Sequence, residues 1–309
     1  MGKIAFVFSG QGAQYPGMGR ELADRSPAAR AVFAAADALR PGTSAQCFSA
    51  SMEELCETKN TQPCMFAVEL AAAAALREVG IRADMAAGFS LGELAALTYG
   101  GAMDFETGFS LVCRRAEHMQ KAAEARDTAM AAVLKLTPDA VIALCADFAE
   151  VYPVNFNCPG QIVIAGSTKA VEEAAAAMKE AGAKRAILLH VSAPFHSTLM
   201  EPAAKRLAEV LDDITISDAK IPVVANVNGQ IETSAADIKA NLVKQAASPV
   251  LWIDCTKAMQ AFGAETFVEV GPGKTLCGFN RKIDRKIHSE NVEDIPSLQK
   301  TLEFFQEVR

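Results

Sequence analysis

Short, unbroken apolar runs alternate along this chain with longer stretches that repeat every three to four residues. Residues 4–8, Ile-Ala-Phe-Val-Phe, form one such run. A run without alternation marks a strand buried on both faces. Residues 84–89 make a second short strand, 221–226 another and 266–270 a last one. The stretch from 20 to 60 reads as irregular helix. Pro63 then opens a long alanine-rich helix to Val79 that Gly80 closes, with proline first and glycine last. A helix after Ser90 stops at Gly100-Gly101, and another covers 105–125. Further helices fall at 200–211 and 238–245.

Between the second and third of these runs the pattern changes. Strand character at 129–136 is followed by helix at 138–148. Two strands, 151–156 and 161–165, flank the turn Asn157-Cys158-Pro159-Gly160. A helix at 169–181 and a strand at 185–191 complete the segment. The order βαββαβ is the ferredoxin-like pattern. It predicts a small subdomain, residues 127–194, inserted into a larger one formed by 1–126 and 195–309.

The chemistry centres on Gly88-Phe89-Ser90-Leu91-Gly92, a Gly-x-Ser-x-Gly between a strand and a helix. This is the context of a nucleophile elbow. A serine on so sharp a turn leaves no room two residues away, and Gly88 and Gly92 supply that room. The fold class expected is therefore α/β, an α/β-hydrolase-like core with a parallel sheet plus the inserted βαββαβ unit. A serine nucleophile needs a base, and the chain has four histidines: His118, His190, His196 and His288. His288 falls in a polar tail segment and His118 on a helix flank. His196 follows a proline-containing turn before a helix and is favoured over His190, which would alternate within a strand. On the 105–125 helix, Gly108, Leu111, Val112, Arg115 and Met119 share one stripe. Arg115 is thus an arginine on an apolar face, and it needs an anionic partner, either a protein carboxylate or a ligand carboxylate.

Composition narrows the class. The 309 residues are 50% hydrophobic and 22% charged, with net charge -7. An acidic surface argues against a general nucleic-acid binder. No apolar run approaches the roughly 20 residues of a membrane span, and Met1-Gly2-Lys3 leads straight into a strand, so no signal peptide is expected. The eight cysteines are scattered without a C-x-x-C pair, which fits reduced core thiols in a cytoplasmic protein with no metal. Gly10-Gln11-Gly12 follows the first strand, but Tyr15 stands where a dinucleotide fingerprint needs its third glycine. What remains is a loop whose backbone approaches a ligand closely, with Gln11 and Gln14 as polar handles. Arg281, Lys282, Arg285 and Lys286 form a local basic patch, either a solvated helix face or a dock for an acidic partner.

Taken together, several stretches resemble the malonyl-CoA:acyl carrier protein transacylases over nearly the whole chain. They are residues 8–14, Gly88 to Glu93, Val154-Asn155-Phe156-Asn157, Gly160-Gln161 and Ala193-Pro194-Phe195-His196-Ser197. Gln245 before Ser248-Pro249-Val250, and Glu269 through Lys274, complete the set. The resemblance implies that Ser90 is acylated and that His196 is its base, oriented by the main-chain carbonyl of Gln245. It implies an oxyanion hole from the N–H groups of Gln11 and Leu91. Arg115 would bind the malonyl carboxylate, with Gln11, Phe195 and Asn157 also at the substrate. A ping-pong transfer from malonyl-CoA to an acidic acyl carrier protein follows, with no cofactor and a monomeric enzyme. One departure stands out: the family usually has histidine where this chain has Phe89. A polyketide acyltransferase acting in trans has the same chemistry; a serine hydrolase and a non-catalytic binding module are the other readings.

Overall fold

The computed structural model describes residues 2–189 and 193–308. The chain opens with β1 (Lys3–Phe8), then α1 (Arg20–Arg25), α2 (Pro27–Leu39), α3 (Thr43–Ser49), α4 (Met52–Cys56) and the long α5 (Thr58–Glu78). β2 (Met85–Gly88), α6 (Gly92–Tyr99) and α7 (Phe105–Glu124) follow. Next come β3 (Thr128–Leu134), α8 (Pro138–Ala146), β4 (Val151–Cys158), β5 (Gln161–Ser167), α9 (Thr168–Glu180) and β6 (Arg185–Leu188). The last part holds α10 (Glu201–Asp212), β7 (Val223–Val224), β8 (Ile231–Glu232), α11 (Ala235–Gln245) and α12 (Trp252–Ala261). It ends with β9 (Ala264–Val270), α13 (Thr275–Ile283), β10 (His288–Val292) and α14 (Ile295–Glu307).

Two sheets organise these elements. The larger runs β10-β9-β1-β2-β7-β8 and is parallel except for the β7–β8 pair. The unbroken apolar character of β1 has a direct cause: Phe6 and Phe8 enter the core beneath α5 and α6, while Ala5 and Val7 enter a second core with Trp252, Met259 and Phe267. Both faces are covered, so neither can be polar. The smaller sheet runs β4-β5-β3-β6, all antiparallel, with α8 and α9 packed on its apolar face. The expected βαββαβ order holds. Helix α9 ends near the turn glycine Gly182, and the strand expected to reach 191 is paired only to Leu188; Val191 and His190 lie outside the described residues.

Three expectations need correction. Helix α5 begins at Thr58, and Pro63 lies inside it. A mid-helix proline costs about 3 kcal/mol, but nearly all of this helix is buried between α2, α7 and the sheet, and that packing outweighs the cost. The strand expected at 221–226 pairs with β2 only at Val223–Val224, because the peptide groups of Asn226 turn away, its N–H to Glu93 Oε2 at 3.2 Å and its carbonyl to the Leu251 N–H at 3.0 Å. The strand expected last is followed by β10, whose polar sequence hid it; as an edge strand it needs little apolar surface. His288 belongs to β10, stacked on Phe304 at 3.9 Å and hydrogen-bonded to Glu290. Helices α12 and α14 had no counterpart in the sequence reading. Among the described residues no helix is long and apolar enough to cross a membrane.

One buried group has a measurable consequence. Glu69, on α5, is fully buried, and neither carboxyl oxygen has a hydrogen-bond partner. Burial first, then the nearby Glu269, pushes its carboxyl well above the ordinary 4.5. The folded state therefore holds a proton that the unfolded chain releases, and stability falls as pH rises above the unfolded value. Glu69→Gln, which matches the neutral acid in shape, is expected to raise Tm at neutral pH and to flatten its decline with pH. Thermal melts of the two proteins across pH check this; equal Tm values at pH above neutrality would refute it.

Candidate active site

Strand β2 ends at Gly88, and α6 starts at Gly92. In between, Ser90 adopts φ 56°, a left-handed conformation that costs a non-glycine residue about 1–3 kcal/mol. Sterics explain the two glycines. A Cβ on Gly88 would lie 1.9 Å from the Gly92 carbonyl, and one on Gly92 would lie 2.4 Å from the Ser9 oxygen. The elbow is braced by Asn226, whose Oδ1 accepts the Ser90 N–H at 2.7 Å, and by Gln245, whose Nε2 donates to the Ser90 carbonyl at 2.7 Å.

His196 arrives from the far side of the chain, also with positive φ, 64°. Its Nε2 lies 2.7 Å from Ser90 Oγ. Its Nδ1 lies 3.0 Å from the Gln245 carbonyl and 3.1 Å from the Ser248 carbonyl. Two carbonyls can only accept, so the ring proton sits on Nδ1 and the Nε2 lone pair faces the serine hydroxyl. Among the described residues no carboxylate is hydrogen-bonded to the ring. His196 is 3% exposed; burial first, then the Arg115 charge, lowers its pKa to about 4, against the opposing pull of the two carbonyls.

Arg115 is 1% exposed and faces this pair. One Nη donates to Gln62 Oε1 at 2.7 Å; the other donates to Gln245 Oε1 at 2.8 Å and to Ser90 Oγ at 3.2 Å. Its direct partners are two amides and a hydroxyl, all neutral, so the protein carboxylate weighed as its partner is not the contact made. Glu93 is the nearby acid, reached through Gln245 Nε2 at 3.0 Å. Burial, with a smaller contribution from Glu232, raises Glu93 to about 8, so at neutrality it is mostly uncharged. Arg115, lowered by burial to about 10, keeps its proton. The site therefore holds a buried positive charge with little negative charge against it, an arrangement that favours an anion.

Comparison with known proteins shows the family of the chain as a whole. A family model described as acyl transferase domain matches residues 5–308. The chain belongs to the acyl transferase domain family. The malonyl CoA-acyl carrier protein transacylase of Bacillus subtilis (strain 168) is 43% identical, over 99% of this chain and 98% of that one. Among solved structures, an acyl carrier protein S-malonyltransferase from Vibrio cholerae is 40% identical with TM-score 0.93, covering 97% of this chain and 99% of that chain. A malonyl-transacylase solved in complex with its type II polyketide synthase acyl-carrier protein is 39% identical with TM-score 0.94, covering 98% of this chain and 99% of that chain.

In this acyl transferase a cavity of about 320 Å³ opens over Ser90 and His196. Gln11 and Phe195 line it, as do Phe89 and the thioethers of Met119 and Met130. Leu91 lies buried at the start of α6. Among the described residues no hydrogen bond takes the N–H of Gln11 or of Leu91. Asn155 lines the cavity; Asn157 is buried two residues on, where β4 slips register between Phe156 and Cys158, and is not among the lining residues. Phe89 packs against Trp252 at 5.7 Å and Phe279 at 6.4 Å, and its Cδ1 would lie 2.8 Å from a Cβ on Gly10. Cys56, expected in the core, is exposed at the cavity wall. The four basic residues are all exposed at the end of α13 and the turn after it, with Lys282 Nζ 3.3 Å from Gln161 Oε1. Sequence reasoning missed Gln62 and Asn226 as site residues; no local motif marks either. Among the described residues no group of three or more His, Cys, Asp or Glu could hold a metal.

The lowered pKa of His196 is directly observable. A ring resonance followed by NMR is expected to titrate with a midpoint about 4, well below the ordinary histidine value of about 6.5. A midpoint at or above the ordinary value would contradict the burial and the Arg115 contact.

Proposed function

We propose that this chain transfers the malonyl group of malonyl-CoA to the phosphopantetheine thiol of an acyl carrier protein, through an ester on Ser90. The observation that carries this reading is the meeting of two groups on one oxygen: Ser90 Oγ faces His196 Nε2 at 2.7 Å and Arg115 Nη2 at 3.2 Å. In the first half-reaction His196 Nε2 takes the hydroxyl proton as Oγ attacks the thioester carbonyl. The N–H groups of Gln11 and Leu91 hold the oxyanion; one such donor is worth about 3–4 kcal/mol. The C–S bond breaks, CoA leaves as the thiol with the proton from His196, and Ser90 keeps the acyl group. In the second half-reaction His196 removes the proton of the carrier thiol, sulfur attacks the ester, and the proton returns to Ser90. Gln245 holds the imidazole in place through its main-chain carbonyl.

The malonyl carboxylate supplies the negative charge that Arg115 lacks within the protein, displacing an amide oxygen of Gln62 or Gln245 in a bidentate contact. Gln11 and Phe195 bound the same space. The scaffold reads as an α/β-hydrolase-like catalytic domain, residues 1–126 and 195–309, carrying a ferredoxin-like subdomain at 127–194. The eight free thiols are in keeping with a cytoplasmic protein. The relative solved with a polyketide carrier favours a second customer for the same chemistry, a type II polyketide acyl carrier protein.

Incubation with malonyl-CoA followed by intact-mass measurement tests the transfer. A stable malonyl adduct that disappears in Ser90→Ala is expected; an adduct lost rapidly to water would indicate a hydrolase, and none at all a binding module. In the same assay Arg115→Ala is expected to lose its preference for malonyl over acetyl, and a retained preference would remove Arg115 from the carboxylate site. The basic patch serves as the dock for the acidic carrier. Charge reversal at Arg281 and Lys282 is expected to raise the carrier's KM and leave that of malonyl-CoA unchanged. An unchanged carrier KM would refute the dock.

A further inference from the structure

Strand β2 bends into the elbow at a point where its neighbour has already stopped. β7 pairs with β2 only as far as Ala87↔Val224; the Ala225 N–H faces β8 and bonds the Gln230 carbonyl, and the peptide groups of Asn226 bond Glu93 and Leu251 instead of β2. The next ladder groups on β2, the Gly88 carbonyl and the Ser90 N–H, are nevertheless both occupied. The side chain of Asn226 occupies them: Nδ2 donates to the Gly88 oxygen at 2.7 Å, and Oδ1 accepts from the Ser90 N–H at 2.7 Å. In a parallel ladder these two groups, one on each side of residue 89, would bond the C=O and N–H of a single residue on the next strand. The carboxamide takes the place of that residue's peptide groups.

The amide is itself anchored. Asn226 is fully buried, its N–H donates to Glu93 Oε2 at 3.2 Å, and its carbonyl accepts the Leu251 N–H at 3.0 Å. Glu93 in turn holds Gln245, whose Nε2 also donates to the Ser90 carbonyl. The N–H and the C=O of Ser90 are thereby fixed from one connected group. Ser90 pairs an unfavourable φ with a reactive side chain, so something beyond its own preference must hold it there.

We propose that Asn226 is a positioning residue for the nucleophile. Its carboxamide extends the ladder past the end of β7 and locks Ser90 in the left-handed conformation. That conformation aims Oγ between His196 and Arg115 and turns the Leu91 N–H toward the reacting carbonyl. Asn226 moves no proton and touches no substrate. The inference rests on the reading of Ser90 as the acylated residue.

Rapid-quench mixing with malonyl-CoA, read by intact mass, separates this role from a purely structural one. The burst amplitude counts competent sites, and the burst rate gives acylation per competent site. Asn226→Ala removes both contacts; Asn226→Asp keeps the size and the acceptor and loses the donor to Gly88. Both are expected to lower the acylation rate on the order of 10²-fold, the scale of a misplaced reacting atom, while KM for malonyl-CoA changes little. If Asn226→Ala folds poorly, its amplitude falls, and the rate per competent site of Asn226→Asp decides the matter. A wild-type rate per competent site in Asn226→Asp, with only the amplitude reduced, overturns the proposal. Failure of the wild-type protein to form a Ser90 adduct overturns the reading beneath it and is seen separately.

Discussion

Everything at the centre of this protein depends on one shared oxygen. Ser90 Oγ lies against the imidazole of His196 and the guanidinium of Arg115. The two contacts act in the same direction. The guanidinium favours negative charge on the oxygen, and its field, with burial, keeps the imidazole neutral and able to accept a proton. The same positive charge stays uncompensated because Glu93 is buried and mostly protonated.

The architecture exists to bring these groups together. Ser90 rides on the parallel sheet, Arg115 on α7, and Gln245 at the end of α11. His196 comes from the segment after the small sheet. The small sheet meets the rest of the chain where β4 runs beside Val250: the Phe156 N–H bonds the Val250 carbonyl at 2.9 Å, and the Val250 N–H bonds the Val154 carbonyl at 2.9 Å. That junction lies next to Ser248, one of the two carbonyls that orient His196. The small sheet thus bears on the imidazole directly. Its exit chain delivers the imidazole, and its β4 strand supplies Asn155 to the cavity wall.

Much of this was legible beforehand, for reasons particular to each residue. The elbow was legible because Gly88 and Gly92 are demanded by contacts within a few residues of Ser90. Arg115 was legible because helical spacing places it on the apolar stripe of α7, and its burial follows. The small sheet was legible because its strands and helices carry clear turn residues between them. The two register slips of β4, either side of Asn155 and Phe156, were not legible, because bulges leave no mark in the alternation. Pro63 misled because a local rule about helix starts was overridden by burial along α5. Strand β10 was missed because an edge strand need not look apolar.

By itself the sequence determined what short-range sterics and periodicity control: the doubly buried β1, the left-handed serine between two glycines, the arginine on an apolar helix face. Only the tertiary structure decided the partners. Asn226 meets Gly88 and Ser90 across more than 130 positions, and Gln62 meets Arg115 across 53. An amide that will replace a peptide group or cradle a guanidinium has the same local signature as any solvated amide. Its role is set by which backbone or charge the folded chain carries to it, and that is a property of packing at long range.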